Sequence, residues 1–109
     1  RRPLRTPVQR RRGKLMANHI LADEAVHPGG FLGEELEASG MTHKALAKAI
    51  GRPAQAVNEI VRGKKAITAA TAIGLEEALG MPAHLWLGLQ ADYELTLARL
   101  DHARRKAHA

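Results

Sequence analysis

The sequence has no cysteine and only one Phe, one Trp and one Tyr among its 109 residues. Without cysteine there is no disulfide framework, no Cys-based zinc site and no thiol nucleophile, and a reducing, cytoplasmic setting is expected. Aromatics supply 3% of a chain that is 45% hydrophobic. Leu, Ala, Ile and Val must therefore build the core, which suits packed helices. No apolar run approaches the ~18 residues of a membrane span, so no membrane partner is expected. The histidines His19, His27, His43, His84, His102 and His108 are scattered. None pairs at the H-x-x-x-H spacing that puts two metal ligands on one helix face, so no metal is expected and a surface or capping role is. Glu34, Glu35 and Glu37 form one acidic group and Glu76 and Glu77 another. Paired carboxylates can serve acid–base chemistry, but no nucleophile, ligand set or Gly-rich phosphate loop accompanies them. Neither an enzyme nor a cofactor is expected. These carboxylates read as solvated faces or as an acidic surface for a basic protein.

What is present is a division of charge. The net charge is +6, but residues 1–15 hold seven Lys/Arg and no acid. The remaining residues hold ten Lys/Arg against eleven acids. Within residues 16–98 the basic residues are Lys44, Lys48, Arg52, Arg62, Lys64 and Lys65. Of the acids in that span, Glu59 alone lies between Lys44 and Lys65. Positive charge confined to one stretch says more about a nucleic-acid partner than the overall pI does.

Arg1–Leu15 has two prolines, many arginines and no apolar period, so a disordered arm is expected, either a plain tail or a phosphate-binding one. It lacks the apolar stretch of a signal peptide. Met16 is a plausible start, which would make the arm an upstream extension or an appended tag. The domain reading is an arm and lead-in over 1–25, one domain over 26–104 and a tail over 105–109.

The domain reads as five helices and no strand. Pro28 stands near the start of the first helix, which runs to Ser39 before Gly40, with Phe31, Leu32 and Leu36 apolar. Thr42 caps a second, through Ile50, with Ala45, Leu46 and Ala47 apolar. Gly51 closes it, and Pro53 starts a third that reaches about Arg62 before Gly63. Thr68 caps a fourth, Ala69–Leu79, with Ala72, Leu75 and Leu79 spaced as a stripe. Pro82 opens a long last helix to about Arg104, in which Leu85, Trp86, Leu89, Tyr93, Leu97 and Leu100 recur at helical spacing. A single small bundle cannot cover so long a stripe, which points to a homodimer.

Thr42–Lys65 has the outline of a helix-turn-helix. Ala47 lets two helices approach, Gly51 permits the positive φ of the turn, and Val57 and Ile60 seat the second helix. The opposite face then carries Gln55, Asn58, Glu59 and Arg62. Gln55 and Asn58 have the amides that pair with adenine, and Glu59 can accept from cytosine. Lys44, Lys48, Arg52, Arg62, Lys64 and Lys65 are candidates for phosphate, as is His43 at the start of the second helix, aided by the helix N-termini. Ala54 and Ala56 are small enough to meet a thymine methyl. The plain alternative is a helical hairpin with a solvated polar face.

Three stretches carry a family resemblance. They are HPGGFLGEELEASGMT (His27–Thr42), LAKAIGRPAQAVNEIVRGKKAITAATAIGLEEALG (Leu46–Gly80) and HLWLGLQADYEL (His84–Leu95). Together they resemble the HigA-type (VapI-like) antitoxins within the Xre/Cro, or lambda-repressor-like, helix-turn-helix proteins. The resemblance implies an all-α, five-helix fold with a long C-terminal helix, and a homodimer on a palindromic operator in its own promoter. It also implies a small basic ribonuclease toxin as partner. It puts Thr42, His43, Arg52, Gln55, Asn58, Glu59 and Lys64 at DNA-facing positions. Two departures stand out. Gly30 replaces a Glu, which is expected to weaken the first helix start, and Pro53-Ala54 replaces a polar pair at the third. The expected function is an antitoxin and transcriptional autorepressor. A stand-alone repressor, or an interaction module that has lost DNA binding, is the alternative.

Overall fold

The computed structural model describes residues 25–107. The readings of the basic arm, of Met16 and of His19 and His108 lie outside the described residues. Within them the chain forms α1 (Pro28–Ser39), α2 (His43–Ile50), α3 (Ala54–Val61), α4 (Ala69–Leu79) and α5 (Ala83–Ala107), with no strand.

Local chemistry sets the helix starts. The first turn of α1 holds no acid, so the missing Glu at position 30 is not what fixes it. The imidazole of His27 instead accepts a hydrogen bond from the Gly29 N–H at 2.8 Å, and Pro28 supplies a preset φ. Thr42 caps α2 by accepting from the Ala45 N–H at 3.0 Å. Thr68 caps α4 by accepting from the Thr71 N–H at 3.3 Å. The start of α5 is capped from a distance: the Glu76 carboxylate, seven residues back on α4, accepts from the Ala83 N–H at 2.6 Å. That bond gives one of the paired carboxylates a structural task that spacing did not reveal.

Two glycines decide how α1, α2 and α3 meet. Gly51 takes φ 69° at the end of α2, where its N–H and that of Arg52 reach back to Lys48 and Ala47. A side chain would be strained in that left-handed conformation. Gly29 serves close approach instead. A Cβ there would lie 1.8 Å from the Ile60 carbonyl oxygen, so only glycine lets the start of α1 press on the last turn of α3.

The core is mostly aliphatic, as composition required. Phe31, Leu32, Leu36, Leu46, Ala47, Val57, Ile60, Ile67, Ala72, Leu75, Met81, Trp86 and Leu89 form one cluster. Trp86 is fully buried at its centre, with its ring 5.4 Å from that of Phe31. Gln90 is buried too. Its Oε1 accepts from the Ile67 N–H at 2.9 Å, and its Nε2 donates to Glu94 at 2.8 Å. The α3–α4 loop is thereby tied to α5.

Two boundaries and one burial differ from expectation. Pro53 is the cap of α3 and not its first turn, because it precedes the first helical φ/ψ pair. Ala45 is exposed, since it lies on the outer side of α2. Residues 105–107, read as tail, are the last turn of α5. Asp101 binds Arg104 at 3.2 Å and Arg105 at 3.0 Å, and the basic last turn suits the negative end of the helix dipole.

Candidate nucleic-acid interface

The DNA reading depends on α3 presenting opposite faces to core and solvent. Val57 and Ile60 are 1% and 3% exposed, so the helix is seated where spacing placed it. Gln55 and Arg62 are exposed, and Asn58 and Glu59 are half-buried. At 100° per residue these four share one side, directly opposite Val57 and Ile60.

The start of α3 is electrostatically open. Pro53 gives no side-chain cap, and the first N–H bonds within the helix come from Ala56 and Val57. The N–H groups of Ala54 and Gln55 therefore face outward at the positive end of the helix dipole, where an anion is favoured. The departure at Pro53-Ala54 removes polar side chains from this end but leaves the backbone donors free.

The flanking groups lie on either side of that face in sequence. Thr42 is exposed and His43 half-buried at the first turn of α2, which packs against α3. Lys44, Lys48, Arg52, Lys64 and Lys65 are exposed, as is Arg62. Among the described residues, none of these six cations makes an ion pair. Arg52 and Lys65 line a shared crevice with Ala56 and Ile60, which brings the α2–α3 turn beside the α3–α4 loop. No group of His or acidic residues among the described residues could hold a metal ion.

Sequence reasoning placed His27 at a helix start but missed its contacts. Its ring lies edge-on to Tyr93 with centroids 4.8 Å apart, and the Lys65 backbone hydrogen-bonds to it. Burial lowers the imidazole pKa below its ordinary value, and the Lys65 bond opposes that shift. The only available signal was the joint presence of the His-Pro-Gly and Tyr93 segments.

The fold recurs among proteins of known structure. The helix-turn-helix family model matches residues 32–86. Virulence-associated protein I of Dichelobacter nodosus is 44% identical over 78 residues, which cover 71% of this chain and 72% of that protein. An addiction module antidote protein of the HigA family from Coxiella burnetii is 35% identical at TM-score 0.69, over 78% of this chain and 92% of that one. The Pseudomonas aeruginosa antitoxin HigA, solved with the higBA promoter, is 34% identical at TM-score 0.71, over 78% of this chain and 94% of that one. The polar face of α3, the helical order around it and these similarities agree: the chain belongs to the Xre/Cro-type helix-turn-helix family, in its HigA-type (VapI-like) branch.

Proposed function

We propose that this protein is a DNA-binding autorepressor and the antitoxin of a toxin–antitoxin pair. One observation carries the reading: the outward face of α3 is polar, and the exposed cations of the flanking segments pair with no acid among the described residues. Gln55, Asn58 and Glu59 read base edges in the major groove, while Thr42, His43, Lys44, Arg52, Arg62 and Lys64 hold phosphates. The Pseudomonas relative solved with the higBA promoter supports the DNA-binding role.

The working unit is a homodimer, which sets two recognition helices about one DNA turn, ~34–36 Å, apart. The family resemblance supplies the second partner, a small basic ribonuclease toxin. The reading gives the chain no catalytic role and a cytoplasmic location. Gel shifts with the duplex upstream of its own reading frame test the DNA role. A salt-sensitive, sequence-selective shift is expected, and its absence leaves only a protein-interaction module. Co-purification with the product of an adjacent short basic reading frame tests the toxin role. With no such partner, the protein is a stand-alone repressor.

A further inference from the structure

We propose that His27 is a positioning residue for DNA binding: its neutral imidazole clamps the loop after α3, so that Arg62, Lys64 and Lys65 meet the DNA backbone in a fixed register. The proposal rests on the reading of α3 as the recognition helix.

The geometry points to a clamp with a defined proton. Nδ1 accepts from the Gly29 N–H at 2.8 Å, so Nδ1 carries no hydrogen and the ring proton sits on Nε2. That leaves Nε2–H as the donor for the hydrogen bond with the Lys65 backbone. The ring also covers Gly63, where a Cβ would stand 3.6 Å from the imidazole Cγ. Tyr93 of α5 supports the ring edge-on at 4.8 Å. Three segments far apart in sequence thus converge on one side chain.

The loop needs such an anchor. Arg62, Lys64 and Lys65 are exposed cations within four residues, and their mutual repulsion favours a splayed loop. Its backbone is held at Lys64, whose N–H donates to the Glu59 carbonyl at 2.8 Å, and at Ile67, held by Gln90. The His27 ring, packed over Gly63 and hydrogen-bonded with the Lys65 backbone, is a further anchor.

His27→Asn separates the two tasks of the ring. Asn is a good N-cap and keeps an acceptor for Gly29, but it is too short to bridge to Lys65. The variant is expected to keep wild-type helicity and a cooperative melt, at a somewhat lower temperature because the ring contacts with Tyr93 and Gly63 are lost. Its affinity for the upstream duplex should fall several-fold, with a salt slope shallower by about 0.9 for each phosphate it no longer neutralises. Discrimination against altered duplexes should stay unchanged, because Gln55 and Asn58 are untouched. A role in stability alone would not move the salt slope. Wild-type affinity and slope in a folded variant overturn the proposal.

A measurement on the wild-type chain stands independently of folding in the variant. Nitrogen NMR of the imidazole should find the proton on Nε2, and a proton on Nδ1 overturns the clamp. A wild-type chain that binds no upstream duplex overturns the recognition-helix reading itself. One that binds while His27→Asn matches it overturns only the role of His27.

Discussion

Gln55 and Asn58 stand one turn apart on a helix whose other side is sealed into the core, so truncating either leaves the seat of α3 unchanged. Gln55→Ala or Asn58→Ala should therefore relax operator choice by about 1–3 kcal/mol at the base each one reads, while stability stays near wild type. Competition between the operator and singly altered duplexes measures this, and unchanged discrimination in both variants would exclude α3 as the reader. His27 makes a different prediction, about pH. Its folded pKa lies below the ordinary 6.5 because burial disfavours the charged ring. As pH falls through 6.5, the unfolded chain takes up the proton first, so stability rises with pH in this window. The contribution of His27 is fully present above 6.5, drops as pH falls through it, and levels off below the folded pKa. Urea midpoints at neutral and mildly acidic pH should separate for the wild type. The separation should shrink in His27→Asn, which has no imidazole to titrate.

At the scale of helices, the legible features were those written within a few residues. Thr42 and Thr68 cap through bonds spanning three positions, and Gly51 closes a helix with its own φ. The polar face of α3 was legible for the same reason, since eight residues contain both of its sides. Pairings between distant segments were not. The Glu76 cap of α5, the His27–Tyr93 pair and the Gln90–Ile67 bond depend on how the helices pack, and no periodicity encodes that. The end of α5 was misjudged because a run of basic residues looks like a tail until Asp101 is found pairing with two of them. Gln90 is the clearest test of such a long-range tie. Gln90→Ala strips the buried Ile67 N–H of its acceptor, which should cost about 1–3 kcal/mol. Glu94→Ala removes only the outer bond of the same side chain and should cost less. Thermal melts of the two variants rank them, and an equal loss would mean that the Ile67 bond has no special weight.

At the scale of the whole molecule, three of the four exposed large hydrophobic side chains among the described residues, Leu95, Leu97 and Leu100, lie on α5, and the fourth, Ile73, lies on α4. The helix has 25 residues, about 37 Å at ~1.5 Å per residue, and only its first half is covered by the other helices. Trp86, Leu89 and Gln90 face the core there. Leu97 and Leu100 continue the same face at helical spacing but are 44% and 39% exposed. A second copy can cover this face with its own. Asp101, Arg104 and Arg105 at its edge let two antiparallel helices exchange ion pairs across a two-fold axis. The joint variant Leu97→Asp and Leu100→Asp should therefore give a monomer by light scattering, with its helicity kept because neither residue belongs to the core. The monomer should still bind a half-site, but with a much weaker gel shift and a shallower salt slope, since one set of neutralised phosphates replaces two. A variant that remains dimeric would move the interface away from α5. One that is monomeric yet binds the operator with full affinity and slope would show that DNA binding needs no second copy.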